Sequence, residues 1–278
     1  MGSDSEPGTE RLVERFVGLF PRHTAAAEAA DVPATAARPE GRPLIAVVID
    51  DLGLRQEETR RATRLPGALT LAFLPYGQSL AAHTSQALAN GHEVIVHVPM
   101  DPGSRADPGP KALRLGQPPE EMEQRLAWNL AQVPRAVGVN NHMGSALTEN
   151  AAAMETVLTA LKREGRYFLD SRTTANSAAR GIAHRLNLPY AERDVFLDND
   201  TSPEAIARQL AETESVARRY GSAIAIGHPH RQTLHALEGW VEAAQAKGFE
   251  IVPVSTIIAA RGSALWRLTR DRKGGVGS

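Results

Sequence analysis

No cysteine occurs among the 278 residues. That absence excludes disulfides, Cys-ligated zinc, iron–sulfur clusters and thiol nucleophiles together. A basic excess is lacking too: 31 Lys+Arg stand against 32 Asp+Glu, a net charge of -1. An electrostatic nucleic-acid binder carries a large positive surplus, so that class is excluded. No stretch of about 18 apolar residues exists, which leaves no membrane-spanning segment. The turn after the first apolar run reads Asp50-Asp51-Leu52-Gly53. A dinucleotide fold would place its glycine-rich fingerprint there, and none is present.

What remains is an ordinary globular composition, 42% apolar and 23% charged. The organisation is uneven along the chain. Residues 1–42 contain a short amphipathic piece (Leu12, Val13, Phe16, Val17, Leu19, Phe20) and then a small, polar, Pro-punctuated stretch. Such a stretch buries too little apolar area to offset its ordering entropy and reads as a linker. No basic n-region with an apolar h-region is visible in this chain, so it shows no export signal. Residues 263–278 read as a flexible tail. Residues 43–262 form the folded portion.

Within 43–262 short apolar runs alternate with longer helical patterns. The runs are 44–51, 68–74, 92–100, 136–142, 166–170, a weaker 195–198, 222–228 and 249–255. Between them lie patterns such as PPEEMEQRLAWNLAQV and SPEAIARQLAETESVARRYG, with Pro near the start and, in several, Gly at the end. Near-continuous apolar strands alternating with amphipathic helices imply a parallel sheet covered on both faces. The number of units points to a closed β/α barrel rather than an open sheet.

The polar residues fall at telling places. Strand candidates end in Asp50–Asp51, His97, Asn141–His142, Asp170 and His228-Pro229-His230. In barrels and open α/β sheets alike, the C-terminal strand ends converge on the ligand-binding face. Repeated Asp and His at the ends of buried strands are costly unless paired or metal-bound. One carboxylate and two imidazoles suit a divalent ion, zinc first, with Co, Ni, Fe or Mn as alternatives. Three protein ligands leave room for water, whose pKa the ion lowers. A neighbouring carboxylate then serves as base and a His opposite as acid. Single features have plainer readings: an Asp pair can cap a helix, and Asp170-Ser171 can form a turn. His23, His83, His92, His184 and His235 lie in linker or helical positions or before a strand, and are assigned to structure or surface.

The motifs IAVVIDDLG, GHEVIVHVPMDP, VGVNNHMGS, FLDSRTT and AIGHPH, in this order, resemble the divergent polysaccharide deacetylase family. That family is an outlying branch of the polysaccharide deacetylases (carbohydrate esterase family 4). The resemblance spans about Pro43 to Ala260. It implies a distorted (β/α)7 barrel, a divalent metal and removal of acetyl groups from N- or O-acetylated carbohydrate. By resemblance Asp50 is the base and Asp51 a ligand. Gly91, His92, Glu93 and His97 follow the wider group's second motif, which makes His97 a ligand. The position of that motif's second His holds Asp101, so the third ligand is either Asp101 or His142, and His142 is preferred. Ile226-Gly227-His228 resembles the last motif and makes His228 the general acid. Where the wider group has a substrate Arg, this chain has Asn140, Asn141 and Ser145. Asp170 is expected to orient His228 or a ligand, and His230 to lie near the substrate. A backbone N–H near Met143–Gly144 is expected to meet the oxyanion. The same residues also fit a glycan-binding barrel without turnover, or an amidase or esterase for a non-carbohydrate substrate. The resemblance implies a carbohydrate partner. The expected location is the periplasm or cell envelope, and the oligomeric state is left open.

Overall fold

The computed structural model describes residues 41–262. The helical piece expected near the N-terminus and the expected C-terminal tail lie outside the described residues. Strands form where the apolar runs fall: β1 (Leu44–Leu52), β2 (Thr70–Phe73), β3 (Glu93–Met100), β4 (Gly138–Met143), β5 (Tyr167–Asp170), β6 (Tyr190–Glu192), β7 (Val195–Phe196), β8 (Ser222–Gly227) and β9 (Glu250–Ile251). All their pairings are parallel. The spatial order is β6-β5-β4-β3-β2-β1-β8-β7, and β9 pairs with the start of β1. The sheet curls into a distorted barrel. Its edge strands β6 and β7 are joined through Arg193–Asp194, with no ladder between them among the described residues.

Alternation along the strands creates two apolar layers. Ile45, Val47, Ile49, Val94, Val96 and Phe168 pack outward against the helices. Leu44, Ala46, Val48, Ile95, Leu169, Ile224 and Ile226 pack inward and fill the barrel. Each Val, Leu, Ile or Phe among them contributes roughly 1.5–3 kcal/mol on burial. The helices are delimited by local chemistry. Helix Pro203–Tyr220 starts on Ser202, whose hydroxyl accepts from the Ala205 amide, and stops at Gly221 with φ 81°. Helix Ala151–Arg163 starts on Asn150, whose side chain accepts from the Ala153 amide.

Two elements differ from expectation. The run 249–255 forms a strand only over Glu250–Ile251, and a helix, Val254–Gly262, follows at once. Pro253 has no amide with which to extend a ladder and sits well ahead of a helix. Val254 and Ile257 of that helix are buried in the inner layer, with Leu44 and Val48. Strand β6 was not expected, because three residues after Pro189 carry too little pattern to stand out from a loop.

Candidate active site

The inward alternation that places Val48, Ile95 and Ile226 in the barrel continues to the next inward position on each strand. There the side chains change from apolar to Asp50, His97 and His228. On β4 the corresponding positions are Asn140 and His142. A regular strand would turn Asp51 outward, since neighbouring side chains alternate. Instead the β1–β2 register shifts between Ile49 and Leu52, and Asp51 adopts φ 57°. This bulge brings both aspartates to one rim. Met143 (φ 54°) and Arg172 (φ 50°) at the same rim also hold left-handed backbone. Each such residue costs on the order of 1–2 kcal/mol, a cost borne by the surrounding packing.

Three potential ligand atoms converge. Asp51 Oδ1 lies 2.9 Å from His142 Nδ1 and 3.3 Å from His97 Nε2. The two ring nitrogens are 3.2 Å apart. Asp51 Oδ1 is nonetheless buried with no hydrogen-bond partner, so the nitrogens are near it without being aligned to donate. A tetrahedral ion with bonds of about 2.0–2.2 Å keeps its ligand atoms roughly 3.3–3.5 Å apart. Two of the separations, 3.2 and 3.3 Å, come close to this and the 2.9 Å one is shorter. With the unpartnered oxygen and the N2O donor set, the cluster suits a divalent cation after a small spreading of its ligands. Asn140 prepares the site. Its Oδ1 lies 2.8 Å from His97 Nδ1, which fixes the proton on Nδ1 and leaves the Nε2 lone pair facing the cluster. Its Nδ2 donates to Asp50 Oδ1 at 2.7 Å.

The electrostatics divide the two aspartates. Burial raises the Asp50 carboxyl, and His97, His228 and Asn140 offset this only in part. Burial also pushes Asp51 up, but the His142 and His97 rings beside it hold it far below the usual carboxylate range. His97 is raised, because Asp50 and Asp51 outweigh the effect of its burial. The more basic Asp50 thus stands beside a carboxylate that stays ionised.

His228 faces this cluster from β8, with Nε2 4.0 Å from Asp51 Oδ2. Its orienting partner is Asp198. The Nδ1 contact is 3.0 Å, and Asp198 Oδ2 accepts from the His228 amide at 2.6 Å and from Thr233 Oγ1 at 2.8 Å. Burial lowers His228, yet the Asp198 hydrogen bond and the charges of Asp50, Asp198 and Asp51 lift it to about 9. His228 is therefore protonated at neutral pH.

Asp170, expected to orient His228 or a ligand, does neither. It accepts from the Arg172 amide at 2.7 Å and from Ser177 Oγ at 2.6 Å, so it secures the left-handed turn after β5. Asp101 likewise holds its own loop, through the amides of Gly103 (2.9 Å) and Leu115 (3.1 Å). It is His142 that stands with Asp51 and His97. Asn141 is buried, accepts from the Ser171 amide and donates to the Met143 carbonyl, and so ties the β4 and β5 ends together. His230 begins the next helix and forms a second group with Asp198 and His228, but there both Asp198 oxygens are already engaged. Among the remaining histidines, His83 bonds Gln56 and His92 accepts from the Leu69 amide. A cavity of about 400 Å³ opens over the cluster, lined in part by Asp50, His97, Asn141, His142, Arg193 and His228.

Asp198, Asn140 and Arg193 were not singled out from the sequence as site residues. Asp198 had a signal, since the weak run 195–198 also ends in an acid. Arg193 had none, because it precedes a two-residue strand.

Residues 47–258 match the family described as Divergent polysaccharide deacetylase. The chain belongs to that family. Escherichia coli K12 YibQ, itself uncharacterized, is 38% identical over 197 residues, which is 71% of this chain and 62% of YibQ. The chain thus spans less than two thirds of the length of that relative. An uncharacterized protein of Agrobacterium tumefaciens C58, seen in a crystal structure, shares 32% identity and a TM-score of 0.77 over 81% of this chain and 92% of that one. The peptidoglycan deacetylase PdaC of Bacillus subtilis is similar in fold alone, at 14% identity and a TM-score of 0.50 over 84% of this chain and 96% of that one. The likeness to the Agrobacterium structure agrees with the barrel described above.

Proposed function

We propose that this chain is a metal-dependent hydrolase that removes acetyl groups from N- or O-acetylated carbohydrate. The observation that carries the reading is the meeting of Asp51 Oδ1, His97 Nε2 and His142 Nδ1 within 3.3 Å of one another, with Asp50 Oδ2 3.7 Å from His97 Nε2 and the Asp198–His228 pair facing the same cluster. Asp51, His97 and His142 would hold the ion, with zinc the first choice. Bound there, a divalent ion acidifies water and polarises a carbonyl.

The remaining roles belong to the chain itself. Asp50, oriented by Asn140 and made more basic by burial, takes a proton from the water that attacks the acetyl carbonyl. Backbone amides at Met143–Gly144 would meet the developing oxyanion. The Met143 carbonyl is already tied by Asn141 Nδ2 at 2.8 Å and Thr173 Oγ1 at 3.1 Å, which holds this turn in place. His228 gives a proton from Nε2 to the leaving nitrogen or oxygen as its bond to the acyl carbon breaks. Acetate and the free amine or alcohol are released. A periplasmic or envelope location belongs to the same proposal, since the fold neighbour PdaC is named a peptidoglycan deacetylase. No helix among the described residues is long and apolar enough to cross a membrane.

The test is acetate release from acetylated glycans by metal-loaded protein. The expected result is turnover that is lost on chelation and lost in Asp50→Asn. Glycan binding without acetate release would refute the reading.

A further inference from the structure

One charged side chain in the cavity has no partner in this mechanism. Arg193 is half-buried. Its Nε donates to the Ser171 carbonyl at 2.8 Å and its Nη2 to the Arg172 carbonyl at 3.0 Å. Its guanidinium lies 4.8 Å from the centre of the Phe196 ring. Nearby cations are neutralised: Arg180 and Arg172 share Glu192, and Arg261 pairs with Asp194 at 2.7 Å. Arg193 itself forms no ion pair among the described residues.

A guanidinium partly removed from water is costly until an anion meets it. Arg193 faces two hollows. It lines the cavity that holds His97 and His228, and also an adjoining hollow of about 270 Å³ with Arg172, Thr174 and Asp194. Asp194, whose Oδ2 is taken by Arg261 and by the Ile224 amide at 2.8 Å, acts on Arg193 only through space, as Asp50 and Asp170 do, and none of the three forms a direct ion pair with it. Arg172 is fixed beside Arg193 by the Asp170 contact to its amide and by Arg193 on its carbonyl. Arg172 and Arg193 thus both line the two hollows, and Arg193 has no direct ion pair among the described residues. The planar fork of Arg matches carboxylate and phosphate oxygens in pairs.

We propose that the substrate carries an anionic group, carboxylate or phosphate, close to the acylated position, and that Arg193, with Arg172 beside it, binds that group. The assignment of the acyl end rests on the deacetylase reading. In these terms Arg193 sets specificity for acidic over neutral glycans.

The test is isothermal titration of the zinc-loaded full chain with glucose, glucuronate and glucose 6-phosphate. At least one anionic sugar is expected to bind about tenfold more tightly than glucose, as a charge-assisted contact provides, and the tighter of the two identifies the group as carboxylate or phosphate. Arg193→Gln is expected to erase the preference, and Arg193→Lys to retain part of it. Where circular dichroism shows Arg193→Gln unfolded, Arg172→Gln, at an exposed position, is read instead and should lower the preference about threefold. No preference in the wild type overturns the proposal, and so does an undiminished preference in the folded variants. Acetate release from acetylated sugars by the same zinc-loaded proteins separates the two claims. An Arg193-dependent preference without turnover on any acetylated sugar refutes the deacetylase reading and leaves the anion site standing, while turnover without preference does the reverse.

Discussion

Replacing Asp198 by Asn isolates the His228 pair from the rest of the site. The side chain of Asp198 is fully buried and contacts the His228 ring, the His228 amide and Thr233. Asn keeps the shape and one acceptor oxygen but removes the charge. His228 should then titrate lower than about 9 in the metal-free protein. The fall is partial, because Asp50 and Asp51 still raise it. Each pKa unit of that fall corresponds to about 1.4 kcal/mol. The sign with pH follows. A raised His pKa adds stability in full below the unfolded value of about 6.5 and loses it as pH climbs through about 9. The stability gap between wild type and Asp198→Asn should therefore be widest in mild acid and close at alkaline pH. With a mispositioned and weaker-held proton, kcat at neutral pH should fall by about 10²–10⁴, the range of general acid–base catalysis, with metal content unchanged. The assays are NMR titration of His228, urea unfolding across pH and the kcat profile. An unmoved His228 titration, or a rate loss that follows metal loss, would refute the reasoning.

Further outcomes follow from the same geometry. Asn140→Ala removes the acceptor on His97 Nδ1 and the donor to Asp50, and should weaken metal affinity or activity by about 10–100-fold, read by competition with a chromogenic chelator. Asp101→Asn should leave metal affinity within about twofold, because its oxygens bind only loop amides; a large loss would place Asp101 among the ligands. Gly144→Ala forces a Cβ to 2.8 Å from the Met100 Cβ at φ 89°, and should destabilise the protein by roughly 1–3 kcal/mol, measured by thermal unfolding.

Much of this site can be read along the chain because it follows strand alternation. Asp50, His97 and His228 each sit where the next inward apolar residue would come, so periodicity and strand ends place them together. Asp51 does not obey that rule, and only the bulge explains why both aspartates share one rim. Asp170 also ends a strand, but on the other parity: Leu169 points inward and Phe168 outward, so Asp170 turns away from the inward set and is spent on the turn that carries Arg172. Alternation within β5 itself encodes that difference. The partner of His228 came instead from a position two residues beyond the strand Val195–Phe196, which is too short to carry a period. Val254–Gly262 shows the same limit: an apolar run that is β-branched and buried reads as strand, and the switch to helix rests on Pro253 and on packing inside the barrel.

The most direct test of the central claim is a crystal soaked in zinc, with anomalous scattering collected at the zinc edge. One ion per chain is expected, bonded to Asp51 Oδ1, His97 Nε2 and His142 Nδ1. An ion bound elsewhere, or none at these atoms at saturating zinc, would contradict it.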